Sequence, residues 1–395
     1  GGQGDPRLEA SEFHQTLSRQ FGLGESDLPQ ERIRLVPIRS FSWARPERFP
    51  AMTMLFQNLA GIPVALEVVA KSPCRIDVFI DSVGMAVTAS IATRLLNAAG
   101  VSYVHYPMIS ADMIETVASR AVQFNNRSIL ARSTLLSMAK VRYYQALARL
   151  YAFLLKAQHL VIVNSSWTEA HIQALGVIDV VKLYPPCDVA DLIQIPLQPR
   201  DRHRIISIGQ FRPEKNHVMQ LNIIHRLVGQ HIPITLTIVG GIRNEADRNR
   251  SEELKLLANS LGIQDHVRFL PNLSRDELRR EISQATIGLH TMVDEHFGIS
   301  VVELMASGAI PVAHRSGGVE ADIIVGGEIT GLLGKSEEDF VRNILRILEM
   351  EETSQRRIQS NARESSRRFS DETFSDSWTA VLAAKFERCS DKPPR

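Results

Sequence analysis

Short runs of continuous apolar residues constrain this chain more than any other feature. Each run ends in glycine or a polar residue, and each is followed by a helical pattern. They fall at Ile76 to Ile80, Ser102 to Val104 and Leu160 to Val163, then at Arg204 to Ile208, Leu236 to Val239, Val267 to Phe269, Ile287 to Leu289 and Ile310 to Ala313. A strand with one wet face alternates apolar with polar residues. A strand that is apolar throughout needs cover on both faces, as in a parallel sheet between helices. The expected fold class is therefore α/β, with two doubly wound Rossmann-like domains facing a central cleft. Such sheets bind ligands at the carboxyl ends of their strands. Between the two sets of runs lie Tyr184-Pro-Pro-Cys-Asp188 and the proline-rich, charged stretch Ile195 to His203, which reads as a linker. The expected domains are 1–195 and 204–365, with a C-terminal helical segment, 366–395, returning to the first. Glu337 to Glu349 and Thr353 to Lys385 read as helices.

Bulk properties exclude several classes. Over 395 residues the net charge is +1, so no overall field favours nucleic acid. Three cysteines, Cys74, Cys187 and Cys389, stand far apart with no C-x-x-C pair, against a disulfide framework or a zinc site. Asn58, Pro63 and Glu67 interrupt the most apolar segment, Ala51 to Ala70, which reads as a buried helix with a proline kink. Any membrane contact would then be peripheral. A basic amphipathic pattern runs from Arg132 to Lys156, with Lys140, Arg142, Arg149 and Lys156 around Val141, Tyr144, Leu147, Tyr151 and Leu154. It suits an anionic membrane surface and equally an ordinary helix covering the sheet.

Two segments carry the chemistry. Gly209-Gln-Phe-Arg212-Pro-Glu-Lys215 follows a strand pattern. Arg212 can fork onto two phosphate oxygens, Lys215 adds a point charge, and a helix beginning near Asn216 adds its positive end. A capped turn with solvated charges fits this segment equally well taken alone. Glu295-His-Phe-Gly-Ile-Ser-Val-Val-Glu303 crosses from a loop into a helix closed by Gly308. The amides of Phe297, Gly298 and Ile299 would be free for a phosphate or a sugar hydroxyl. Glu303 sits inside an apolar run, where a carboxylate needs a partner. It can take both hydroxyls of a ribose. Ser316-Gly317-Gly318 has the composition of a backbone nest, or simply of a tight turn. His105, ending a strand, would face the ligand or sit satisfied in the core.

These segments together resemble the retaining GT-B glycosyltransferases of family 4. Further segments bring the chain close to those family members that use GDP-mannose and act on dolichol-linked oligosaccharides. They are Tyr103-Val-His-Tyr-Pro107, Phe124-Asn-Asn126, Val163-Asn-Ser-Ser-Trp-Thr168, Tyr184-Pro-Pro-Cys-Asp-Val189, Val239-Gly-Gly241, Ala285-Thr-Ile-Gly-Leu-His-Thr291, Glu295-His-Phe-Gly-Ile299 and Phe369-Ser-Asp371. The resemblance implies transfer of mannose from GDP-mannose through an α-1,2 bond to a dolichyl-pyrophosphate-linked oligosaccharide. It places that work on the cytosolic face of the endoplasmic reticulum membrane, alongside other mannosyltransferases, with no metal. It assigns His105, Arg212, Lys215 and Glu295 to the reacting sugar and diphosphate. Gly209, Phe297, Gly298, Ile299 and Gly317 would line the donor, Glu303 would hold the ribose, and Asn164 and Ser165 would stand at the edge of the site. Members of the family open with a strand and a glycine-rich loop. Here Gly1-Gly-Gln-Gly leads into a helical pattern at Ala10 to Gln20, so that unit reads as missing. A relative with another donor or acceptor, or a non-catalytic nucleotide-sugar-binding scaffold, fits the same residues.

Overall fold

The computed structural model describes residues 34, 36–44, 52–109, 134–197 and 200–390. The pattern at Ala10 to Gln20 and the Phe124-Asn-Asn126 segment lie outside the described residues. By contacts the chain divides into two units, one up to Asn164 with Thr168–Lys182, the other Ser165–Trp167 with Leu183–Arg395. The division falls at Lys182, upstream of the boundary expected at 195. Its cause is visible in the packing. Cys187, Val189 and Leu192 are buried in the same core as Val301, Met305 and Phe369, and Cys187 N–H donates to Phe369 O at 2.9 Å. The helix Asp371–Ser390 is grouped with the second unit.

The first unit holds a four-stranded sheet of β1 (Val78–Asp81), β2 (Ala99–Val104), β3 (Leu160–Val163) and β4 (Val181–Lys182) in that order, every pair parallel. The helix Thr134–Lys156 follows the sequence reading. Leu147, Tyr151 and Leu155 are buried, while Arg142, Arg149 and Lys156 are exposed. The helix Thr53–Lys71 departs from it. Only Ala60, Gly61, Val64 and Ala65 are buried, and the rest of the helix is not. Small residues form its packed side, where Thr88 Oγ1–H donates to Gly61 O at 3.0 Å. The large residues Phe56, Leu59, Ile62 and Leu66 recur at helical spacing and are 41, 49, 40 and 53% exposed. Its apolar composition thus reflects two apolar faces rather than burial.

The second unit holds a six-stranded parallel sheet. Its strands are β5 (Asp201–Ile208), β6 (Thr235–Gly240), β7 (Val267–Pro271), β8 (Ala285–His290), β9 (Ile310–His314) and β10 (Leu332–Gly334), in the spatial order β10-β9-β8-β5-β6-β7. The chain winds outward from β5 through β6 to β7, then returns to β8 and winds the other way. The reversal between β5 and β8 is a topological switch point, where the loops after two adjacent strands diverge and leave a crevice at their carboxyl ends. Side chains on both faces of this sheet are buried, among them Ile205, Leu236, Ile238, Ile287, Leu289 and Val312 on one side and Ile206, Val239 and Ala313 on the other. The loop after β5 passes close to the end of β6. Gly209 N–H bonds Val239 O at 2.9 Å, and a Cβ on Gly240 would lie 2.1 Å from Gly209 O. Only glycine at 240 allows that approach.

Candidate active site

Lys215 and Glu295 come from opposite sides of the switch point. Lys215 ends the 3-10 turn Pro213–Lys215 after β5, and Asn216 beyond it takes a left-handed φ of 52° to start the helix His217–Gly229. The buried Thr291, just after β8, pins that turn. Its hydroxyl lies 3.1 Å from the carbonyl oxygens of both Lys215 and Asn216, and it accepts Gln220 Nε2 at 3.0 Å. Lys215 Nζ pairs with Glu295 Oε2. His290, the last residue of β8, brings Nε2 to 3.3 Å from the same oxygen. Burial opposes the Glu295 charge, but the His290 contact and the Lys215 charge outweigh it and hold the carboxyl at about 2. Glu295 is therefore an acceptor for hydroxyl or cationic donors at any physiological pH, not a proton donor.

The residues after Glu295 present donors. The helix Ile299–Ser307 is capped by Gly298 at φ 117°, with no side-chain cap. Among the described residues no acceptor is found for the N–H groups of Phe297, Gly298, Ile299 or Ser300, while Val301 and Val302 both bond Gly298 O. Unsatisfied first-turn amides with the dipole behind them favour an anion. Gly317 and Gly318 support this loop from below. Gly317, at φ 65°, would place a Cβ 2.3 Å from Glu295 O, and Gly318 N–H donates to Glu295 O at 2.7 Å. The Ser316-Gly-Gly segment therefore holds the Glu295 backbone, and the Gly318 amide is spent on it rather than offered to a ligand.

Arg212 caps the same turn as Lys215, yet its guanidinium stands apart from the Lys215–Glu295 pair. It meets Glu214 at 3.4 Å, and its Nε is buried with no acceptor among the described residues. A buried donor without a partner is costly, and an anionic ligand would satisfy it. Next to Lys215, His217 is buried with both ring nitrogens unpartnered and its ring against Phe211 at 5.6 Å. Burial, with the charges of Arg250, Lys215 and His290, lowers its pKa to about 4 and keeps it neutral. His217 and His290 were not assigned from sequence. The available signal was positional, His290 at a strand end five residues before Glu295 and His217 two residues after Lys215.

Glu303 lies on the helix behind these amides. Its neighbours Val301, Val302, Leu304 and Met305 are buried, and Glu303 itself is half-buried. Burial and the Asp188 charge raise its carboxyl to about 7 against the opposing pull of Arg275. The partner expected for it is thus a charge nearby, and Arg275 is shared with Asp188, to which it is paired.

His105 belongs to the first unit, one residue past β2. It lines a cavity of about 450 Å³ together with Phe41, Asn58, Gly84, Thr88 and Tyr106. Burial lowers its pKa and Asp81 partly offsets this. Asn164 and Ser165 are both buried, and Asn164 Oδ1 accepts the Thr168 hydroxyl at 2.7 Å.

Two parallel Rossmann-like units, one carrying cations and helix amides at its switch point, define a glycosyltransferase of the GT-B class. Solved structures agree on the fold. Anabaena Alr3699/HepE in complex with UDP and glucose superposes with a TM-score of 0.61 at 18% identity over 81% of each chain. The α,α-trehalose 6-phosphate synthase of Burkholderia multivorans gives 0.66 at 12% identity, covering 87% of this chain and 79% of that one. The family models that match are the ALG11 mannosyltransferase N-terminus over residues 3–176 and glycosyl transferases group 1 over residues 188–365. Curated GDP-Man:Man(3)GlcNAc(2)-PP-Dol alpha-1,2-mannosyltransferases from Homo sapiens and Mus musculus are 39% and 40% identical, over 90% and 87% of this chain and 74% and 72% of their own lengths. The chain belongs to that α-1,2-mannosyltransferase family.

Two outcomes follow from the charges. Lys215→Ala should weaken GDP binding about ten- to a hundred-fold, the worth of a charge-assisted phosphate contact. Calorimetry showing an unchanged Kd would remove Lys215 from the diphosphate site. Because Glu303 is raised to about 7, the folded protein keeps a proton that the unfolded chain releases near the ordinary carboxylate range. Its stabilising contribution is complete in acid and is lost as pH rises through that window. The Tm of Glu303→Gln should therefore gain on the parent from about pH 5 to about pH 8, and a pH-independent difference would contradict the assignment.

Proposed function

We propose that this mannosyltransferase takes GDP-mannose as donor and a dolichyl-pyrophosphate-linked oligosaccharide as acceptor, and that it forms an α-1,2 bond with retention in N-glycan precursor assembly. The observation that carries the reading is the Lys215–Glu295–His290 cluster beside unpartnered helix amides at the switch point. In the bound state the diphosphate oxygens take Lys215, Arg212 and the amides of Gly298 and Ile299, and Gly209 lets them approach the turn. Glu295, released in part from Lys215, accepts hydroxyls of the mannose. Glu303 takes the ribose, and the resemblance assigns His105 to the transferred sugar. As the bond from the anomeric carbon to the phosphate oxygen breaks, negative charge grows on the diphosphate, where the donors already stand. The acceptor hydroxyl approaches on the same face and passes its proton to the departing diphosphate oxygen, so no separate base is assigned. Positioning and fixed charge supply the rate. The cationic and amide donors carry the phosphate charge without a metal. Incubation with GDP-mannose and the lipid-linked acceptor should give an α-1,2-linked product, unchanged after EDTA dialysis. A requirement for added divalent cation, or equal use of UDP-sugars, would overturn this reading.

The acceptor is a lipid, and the exposed face of Thr53–Lys71 suits the membrane that holds it. Phe56, Leu59, Ile62 and Leu66 form an outward apolar stripe on a helix that, among the described residues, is the one long and apolar enough to cross a bilayer. This supports attachment at the cytosolic face of the endoplasmic reticulum. Leu59→Asp combined with Ile62→Asp should reduce flotation with phosphatidylcholine vesicles while leaving GDP affinity unchanged. Equal flotation of parent and variant would remove the helix from the membrane contact.

A further inference from the structure

Asp322 is buried in the wide turn Val319–Ile323 that follows Gly318, and its carboxylate gathers several donors. Oδ2 accepts Ser166 N–H at 2.7 Å, while Oδ1 accepts the Ser166 hydroxyl at 2.6 Å and the Tyr184 hydroxyl at 2.8 Å. Its two partners lead to one place. Trp167, next to Ser166, stacks on His296 with ring centres 5.3 Å apart and planes 25° apart. Tyr184 stacks on Phe297 at 5.7 Å and meets Phe369 edge-on at 5.0 Å. His296 and Phe297 follow Glu295 directly and lead into the amides of residues 298–300, for which no acceptor is found among the described residues.

We propose that Asp322 is a positioning residue for sugar transfer: through Ser166–Trp167 and Tyr184 it clamps His296 and Phe297, and so fixes the Glu295 carboxylate relative to the amides of residues 298–300. Removing the charge leaves the binding groups in the chain but lets the loop that carries them shift. Displacements of about 1 Å in such a constellation cost rate more than ground-state affinity. The same contacts give the Asn164-Ser-Ser-Trp167 motif a role, since Ser166 and Trp167 hold the loop and Asn164 and Ser165 sit buried behind them.

The proposal rests on the transferase reading above, and the test separates the two. Asp322→Asn should lower kcat for mannosyl transfer about tenfold or more with the Kd for GDP within about twofold. An indole stacked on an imidazole is shielded from solvent. Subtracting the emission of the matching Trp167→Phe protein isolates Trp167 from the other tryptophans, and iodide quenching of that emission should rise in Asp322→Asn. Ser166→Ala, which removes one donor, should shift both readouts in the same direction by less, and it decides the matter if Asp322→Asn does not fold. Parent-like kcat and quenching would overturn the clamp. Parallel losses of Tm, GDP affinity and kcat would make Asp322 merely structural and overturn it as well. A parent that transfers nothing from GDP-mannose would end the functional reading, while the Trp167 signal would still test the clamp.

Discussion

The ion pair between Lys215 and Glu295 is the contact on which the site depends. Each group sits at the end of a different strand loop, and neither charge is stable half-buried alone. Pairing them across β5 and β8 joins the two directions in which the sheet winds. It also sets a cation beside a carboxylate, the two groups to which the proposed function gives the diphosphate and the sugar. His290 adds a third group from the end of β8. The result is a cluster whose charges are compensated within the fold.

Around that pair the fold spends its other polar groups on geometry. Thr291 fixes the Lys215 turn, and Gly318 fixes the Glu295 backbone. Among the described residues, the groups near the pair without a hydrogen-bond partner include the amides after Glu295, the Nε of Arg212 and the imidazole of His217. Donors left unpaired next to a fixed cation describe a place for an anion. The half-buried Glu303 on the same helix is raised to about 7. Glu295 and Glu303 look alike in sequence, yet one is held ionised by the His290 contact and the Lys215 charge and the other pushed toward neutrality by burial.

The strands were legible because buried parallel strands have no polar face to disguise them. Leu160 to Val163 is recovered residue for residue, and the other apolar runs are recovered within a few residues of their ends. Val181–Lys182 and Leu332–Gly334 escaped because they are too short to form a pattern. Thr53–Lys71 was misjudged since composition measures how apolar a helix is, not which way its residues point. The Asn164-Ser-Ser-Trp167 motif was read as an edge of the ligand site, whereas its contacts run to Asp322 and His296, far away in sequence. The composition of Ser316-Gly317-Gly318 suits a nest or simply a tight turn. The requirement for its glycines comes from the backbone of Glu295 and His296 pressing on them.

Sequence by itself determined the class of fold and the number of sheets, and it nominated residue types for the candidate site. Those follow from local periodicity and from the functional groups each side chain carries. Tertiary structure decided the rest. It put β8 beside β5, brought Lys215 to Glu295 across 80 residues, and drew His290 into the cluster. The reason is physical: a pKa, an ion pair and an orphaned amide belong to the space around a group, and that space is filled by residues remote in the chain.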